Sequence, residues 1–215
     1  MTSTTNLADH VAVALRNAGV SERHINARLA EYKAGTESQQ KALEYVRAWS
    51  QSDASTGWVL YGKPGVGKTH LAVGAVAERI AYRVERLDPE KPWDRPAAMH
   101  ACVVNVAKLL DDLRHGFKTG DRAFEDAFRH LRDACPLLVL DDLGREKVTD
   151  WAGERVYVLF ESRYSNMLTT IVTSNATPRA LSEFGYGAVV SRLAEMGDFI
   201  EVHGDDQRIA RHVRA

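Results

Sequence analysis

The stretch Trp58-Val59-Leu60-Tyr61-Gly62-Lys63-Pro64-Gly65-Val66-Gly67-Lys68-Thr69-His70 decides the fold. Its apolar start reads as a strand, Trp58 to Tyr61, and a helical pattern from His70 to Ala81 follows directly. Between them, Gly62 to Thr69 fits G-x-x-x-x-G-K-[ST], the phosphate loop, in the strand-before, helix-after setting that gives this motif its meaning. Gly62, Gly65 and Gly67, with Lys63, Pro64 and Val66 between them, let backbone N–H groups wrap phosphate oxygens. The helix that opens at His70 adds the positive partial charge of its N-terminus. Lys68, read as a surface lysine of the loop, is placed to reach β- and γ-phosphates, and Thr69 to offer its hydroxyl to Mg²⁺.

Outward from the loop the pattern alternates. Short apolar runs at Ala101 to Val106, Pro136 to Leu140, Thr169 to Thr173 and Phe199 to Val202 are separated mainly by helical patterns, the rhythm of an α/β fold with a parallel sheet covered by helices. The runs around Val139 and Val172 are nearly all apolar, which makes them candidates for the central strands. Pro89, Pro92 and Pro96 mark Glu85 to Met99 as a long irregular loop.

Two of these strands end in polar residues at the edge where open α/β sheets bind ligands. Leu137-Leu138-Val139-Leu140-Asp141-Asp142 reads as a Walker B element beside the phosphate loop. Asp141 then holds Mg²⁺ through water and Asp142 orients an attacking water. Thr173-Ser174-Asn175 ends the next strand, and the neutral amide of Asn175 suits water placement against a γ-phosphate without competition for the metal. A helix N-cap is the other use of such an Asn, although Thr177-Pro178 already supplies a cap and a first-turn proline.

The N-terminal part carries a helical stripe, Ala8, Val11, Ala12 and Leu15, then Gly19 and an expected second helix from Ser21. A packing helix is the ordinary reading of that stripe, a partner-binding helix the other. Thr36 opens the next helix through a Thr-x-x-Gln capping box, with Leu43, Val46 and Trp49 on one side. The expected organisation is a short helical segment over residues 1–35 and an ATPase domain over 36–215.

With 28 Lys+Arg against 29 Asp+Glu in 215 residues, the formal net charge of -1 gives no global basic field, so any grip on nucleic acid must come from a local patch. The first residues lack the basic start and apolar run of a secretory signal, and charges interrupt every apolar stretch, which predicts a cytoplasmic, non-membrane protein. Cys102 and Cys135 lie far apart without a C-x-x-C pairing and read as buried reduced thiols.

Taken in order, GKPGVGKTHLA, LLVLDDLG, TIVTSN and VVSRLAEM resemble the DnaC/DnaI-type bacterial helicase loaders and the related IstB transposition helpers, a branch of the AAA+ ATPases. The similarity runs from about Ala30 to Arg208 and implies an AAA+ P-loop core with a five-stranded parallel sheet in the order 5-1-4-3-2. It implies an ATPase that uses ATP and Mg²⁺, assembles as a homo-oligomer with nucleotide between subunits, and acts on a DnaB-type replicative helicase and single-stranded DNA. By the resemblance, Asn175 is the sensor 1 residue, Arg192 in Val190-Ser191-Arg192-Leu193 the arginine finger offered to a neighbouring subunit, and Arg208 the sensor 2 arginine, although Gln207 replaces the usual Tyr. The loaders' DNA track maps onto Arg114, Phe117, Lys118, Thr149 and Trp151, with a core role for Phe117 and Trp151 as the other reading. About 35 residues precede the capping box, fewer than loaders usually carry there to grip the helicase. An IstB-like helper of a transposase and a nucleotide-gated DNA-binding protein with little turnover are the alternatives.

Overall fold

The computed structural model describes residues 7–87, 100–146 and 149–207. The expected loop from Glu85 to Met99 falls largely outside these residues, as does Arg208. Five strands, β1 (Gly57–Tyr61), β2 (Cys102–Asn105), β3 (Leu137–Leu143), β4 (Thr169–Ser174) and β5 (Gly197–Glu201), form one sheet. Its order is β2-β3-β4-β1-β5 and the pairings are parallel, which is the expected order read from the other edge.

Strand alternation sorts the core into two clusters. Trp58, Leu60, Leu137, Val139 and Ile171 face one side, covered by helices α1 (Leu7–Asn17), α2 (Glu37–Ser50) and α3 (Lys68–Glu85). Val59, Leu138, Leu140 and Val172 face the other. There they meet α4 (Val106–Thr119), α5 (Ala123–Asp133), α6 (Asp150–Ser165) and α8 (Gly187–Met196), which follows the short α7 (Pro178–Leu181). β4 is buried along its whole length. Arg163 is also fully buried, and its guanidinium donates to the carbonyls of Leu131, Cys135 and Thr169 and to the Thr170 hydroxyl. Cutting such a buried charge off from its partners costs about 3–5 kcal/mol, so Arg163 holds α6, α5 and the approaches to β3 and β4 in fixed relation.

The helix expected from Ser21 does not form. The chain makes turns closed by His24 N–H to Ser21 and Ala27 N–H to His24, then a single 3₁₀ turn at Leu29–Glu31. The reason lies in the buried residues Ile25, Ala27 and Leu29, which recur every second residue rather than at helical spacing. Of the stripe expected on α1, Val11 and Leu15 are buried in the cluster that also holds α2 and α3, joined there by Ala14, whereas Ala12 is half-buried and Ala8 exposed. Beyond α1 the main chain runs along the open edge of β2, where Val103 N–H donates to Ala18 at 2.7 Å.

β3 extends past the expected Leu140 to Leu143, through both aspartates. Its register against β4 shifts between Leu140 and Leu143, and Asp142 takes a φ of 68° within that bulge. Bulges re-aim side chains at sheet rims, and this one sets the directions of Asp141 and Asp142. Among the described residues, no helix is long and apolar enough to cross a membrane.

Candidate functional site

Three neighbouring strands, β1, β4 and β3, deliver the phosphate loop, Asn175 and the aspartates to one rim of the sheet. The connection from β1 to β2 crosses over β4 and β3, which leaves the crevice between them for a ligand. The result is a cleft of about 740 Å³ lined by Pro64, Gly65, Gly67, Lys68, Thr69 and His70 of the loop and by Asp141, Asp142, Thr173 and Asn175.

Gly67 caps α3 with a φ of 97° and supplies no side-chain acceptor, so the first N–H groups of α3 are left for a ligand. A Cβ at Gly67 would stand 2.5 Å from the Tyr32 ring. Tyr32 and Gln39 pin the loop from behind: the tyrosine hydroxyl donates to the Val66 carbonyl at 2.8 Å and the Gln39 amide to the same oxygen at 3.2 Å. Burial pushes the Tyr32 phenol up to about 12. Thr36 accepts from Gln39 N–H as a capping box requires, while the Gln39 amide oxygen accepts from Gly35 N–H and its nitrogen serves the loop.

Lys68 is not a surface lysine, since only 7% of it is exposed. Its ammonium donates to the carbonyls of Gly62 and Lys63 at 2.7 and 2.8 Å and to Asn175 Oδ1 at 2.9 Å. Asn175 Nδ2 in turn donates to Asp142 Oδ1 at 2.5 Å. Asp141 Oδ1 accepts from Thr69 at 2.8 Å and from Thr173 at 2.7 Å. A hydroxyl and a carboxylate side by side are hard oxygen donors of the number Mg²⁺ takes from a protein while keeping its own waters, so these residues fit that ion. Asp142 also pairs with Arg145 at 3.0 Å, and its main-chain N–H donates to the Thr173 hydroxyl.

Several cleft residues have no counterpart in the sequence reading. Arg23 and His24 arrive from the turn segment, Asn105 from the end of β2, and Arg145 from just beyond β3. Asn105 caps α4 by accepting from Lys108 N–H, and it sits at a strand end as Asn175 does, so the same rule finds it. Arg23 and His24 leave no local signal. His70 fastens their segment, with a ring nitrogen 2.9 Å from the Arg28 carbonyl and its ring tilted against Tyr32. A second cavity of about 620 Å³ adjoins the first, shares His70 and Gln207 with it, and is lined by Tyr32, Lys33 and Ala34. Gln207 closes onto the loop through its N–H to Gly65 at 3.1 Å.

Arg192 lies on α8, outside the residues lining the cleft. It is held by Glu161 at 2.7 Å and Glu195 at 3.6 Å, over the Tyr164 ring. Thr149 caps α6 by accepting from Ala152 N–H. Trp151 packs partly against the second core cluster, with the Arg114 guanidinium 5.0 Å and that of Arg155 5.9 Å from its ring. Phe117 is 87% exposed, which removes the core reading for that residue. Lys118 is exposed on the last turn of α4.

No protein-family model matches the chain. Among curated proteins it is similar to the replicative helicase loader DnaI of Bacillus subtilis, 27% identical over 143 residues, covering 66% of this chain and 40% of that one. It therefore spans two fifths of that relative's length. Among solved structures, the DnaC helicase loader superposes with a TM-score of 0.70 at 27% identity, covering 85% of this chain and 100% of the other. The replication initiator DnaA bound to AMPPCP and single-stranded DNA superposes with a TM-score of 0.64 at 20% identity, covering 83% and 50%. In sequence and in fold the chain is similar to DnaC/DnaI-type helicase loaders, and its five-stranded parallel sheet has the order of an AAA+ P-loop core.

Proposed function

We propose that this DnaC/DnaI-type chain binds ATP with Mg²⁺ in the cleft, hydrolyses it where two subunits of a homo-oligomer meet, and uses that cycle in the cytoplasm to load a DnaB-type replicative helicase onto single-stranded DNA. The reading is carried by one observation: Lys68, Thr69, Asp141, Asp142 and Asn175 converge through a continuous set of hydrogen bonds at the rim where the α3 N-terminus opens.

The roles follow from position. The loop amides and Lys68 neutralise the phosphates, with the ammonium exchanging its contacts to the Gly62 and Lys63 carbonyls for phosphate oxygens. Thr69 and Asp141 would hold Mg²⁺, which would supply charge neutralisation to the phosphates when bound. Asp142 and Asn175, already bonded to one another, orient the attacking water. The adjoining cavity beside Tyr32, Lys33 and Ala34 takes the nucleoside end. Arg192 acts on a neighbouring subunit's nucleotide, where a phosphate competes with Glu161 for its guanidinium. Arg208 serves as a further phosphate-sensing arginine.

DNA contact belongs to Arg114, Phe117, Lys118, Thr149 and Trp151. The stacked pair of Arg114 and Trp151, with exposed Phe117 and Lys118 further along α4, offers cations beside aromatic faces, as a single strand requires. A structure with the same fold, DnaA, carries both AMPPCP and single-stranded DNA. The test is ATP turnover by the purified chain, with and without single-stranded DNA, together with capture of a DnaB-type helicase against capture of a transposase. Turnover with helicase capture supports the loader. Transposase capture moves the chain to the IstB-like reading, and nucleotide binding without turnover makes it a nucleotide-gated binding protein.

A further inference from the structure

The sheet edge opposite the cleft carries a second convergence of side chains. His100 and Cys102 stand at the start of β2, His130 on the last turn of α5, and Cys135 two residues before β3. In sequence they form a His-x-Cys pair and a distant His-x₄-Cys pair, and neither spacing announces the other. Pairing of Cys102 with Leu138 in the sheet, and the return of the chain from α5 into β3, bring them together. One ligand-capable atom from each residue lies within 4.8 Å of the other three. The imidazoles stack with centroids 5.1 Å apart, and their Nε2 atoms are separated by 3.2 Å.

We propose that His100, Cys102, His130 and Cys135 form a structural metal site of the Cys₂His₂ type, suited to Zn²⁺. With metal bonds of about 2.3 Å to sulfur and about 2.0 Å to nitrogen, a tetrahedral centre has edges of roughly 3.3 Å between its nitrogens and roughly 3.8 Å between its sulfurs. The observed separation of 3.2 Å between the two Nε2 atoms is such an edge. Bringing the widest pair in from 4.8 Å needs an adjustment of about 1 Å, within reach of side-chain rotation. Thiolates and imidazoles together select Zn²⁺ over Mg²⁺ or Ca²⁺, which take oxygen. Four protein ligands leave no open position, which is the arrangement of a structural rather than a catalytic centre.

The surroundings match that role. Arg163 donates to the carbonyls of Leu131 and Cys135 at 2.5 and 2.9 Å, which fixes the main chain between two of the ligands. Two thiolates, two neutral imidazoles and a divalent ion sum to no net charge, so the centre is compatible with this buried guanidinium. Cys135 is buried and His130 exposed, which gives the ion both a dry floor and an entry path. The bound ion would tie edge strand β2 to α5 at the end of the sheet remote from the cleft, independently of the nucleotide chemistry.

The test uses the untagged full-length chain, purified under reducing conditions, with Zn²⁺ and Co²⁺ as the probes. Elemental analysis after dialysis against Zn²⁺ should find one ion per chain. Co²⁺ should give thiolate-to-cobalt charge-transfer bands and the intense visible bands of a tetrahedral centre, a signature that the oxygen-lined cleft does not produce. Zn²⁺ should raise the thermal midpoint and a chelator lower it. Cys102→Ser, which leaves one of the two thiolates, should reduce the charge-transfer bands to about half or less, and His130→Ala, on the exposed side where folding is not at stake, should weaken metal binding by about tenfold or more. Absence of cobalt charge-transfer bands in the reduced chain, or a parental spectrum in both variants, overturns the site. So does recovery of the two cysteines as a disulfide with no metal uptake after reduction.

Discussion

The amide of Asn175 joins Lys68 to Asp142: its oxygen accepts from the lysine ammonium at 2.9 Å while its nitrogen donates to the aspartate at 2.5 Å. One side chain from the end of β4 therefore connects the lysine proposed to bind phosphate to the carboxylate proposed to orient water. Asn175→Ala should lower turnover by about a hundredfold, the size of effect seen when one preorganised donor is lost, with ATP affinity close to parental. Asn175→Asp, which cannot donate to Asp142, should not rescue it. A steady-state assay beside a nucleotide-binding titration checks both, and parental turnover in Asn175→Ala would remove the residue from the mechanism.

Lys68→Ala should abolish productive ATP use. Because Lys68 is buried and ties Gly62 and Lys63 to Asn175, the variant should also melt a few degrees lower while keeping its fold. Arg192→Ala should leave nucleotide binding intact and cut turnover by about a thousandfold, as expected of a finger acting on developing charge. Mixed Lys68→Ala and Arg192→Ala chains should regain activity at the interfaces that combine an intact loop with an intact finger. Lack of recovery in demonstrated mixed oligomers contradicts a shared site.

Trp151→Ala should weaken single-stranded DNA binding by about 1–3 kcal/mol, the value of one stacked base. Arg114→Ala should weaken it less and flatten its salt dependence. Binding by the parent should require nucleotide and rise steeply with protein concentration, because each subunit brings only a small patch and several must line up along one strand. Fluorescence anisotropy across salt and protein concentrations measures this. Equal affinity with and without nucleotide contradicts the coupling, and loss of the cooperative melt in Trp151→Ala assigns that ring to the core instead.

Tyr32 gives the chain an alkaline limit. Its phenol is raised from 10.0 to about 12 by burial, so the neutral form is favoured in the folded chain. The corresponding stability is present in full below pH 10 and is lost as pH rises from 10 towards 12, with a slope of about 1.4 kcal/mol per pH unit. Tyr32→Phe should cost about 0.5–1.5 kcal/mol at neutral pH, through the hydrogen bond lost at the Val66 carbonyl, and should shed that share of the alkaline slope. Urea melts at several pH values test it. An unchanged slope would mean that Tyr32 is not buried in solution.

The phosphate loop was legible because a motif that wraps one ligand is contiguous, and the strands because burial on both faces writes unbroken apolar runs. The position of Asp141 and Asn175 at one rim of the sheet was legible because each stands where an apolar run ends. What escaped depends on contacts between distant segments. Gln39 reads as half of a capping box, yet its amide nitrogen supports Val66. Neither Arg163 nor Arg79 of α3 was singled out from the sequence, yet both are wholly buried, with their guanidinium groups donating to main-chain carbonyls, those of Cys135 and Trp49 among them. Arg23 and His24 reach the cleft only because Ile25, Ala27 and Leu29 seat their segment in the core, and the two-residue period of those three was the available sign that no helix forms there.

The hydrogen bond from Val103 to Ala18 bears on where this chain tolerates shortening. β2 is the last strand on its side of the sheet, and an uncovered terminal strand is a template for pairing with another molecule. The segment around Ala18 acts as a selvedge, occupying an outward amide and shielding the apolar side chains beneath it. A version that starts at the Thr36 cap would keep the whole Gly62–Thr69 loop but lose Arg23 and His24 from the cleft and Tyr32 from behind the loop, and it would present raw edge and bare core together. Light scattering should then find clumping where the intact chain stays dispersed, and amide exchange at Val103 should mark the same protection in the intact chain as slow.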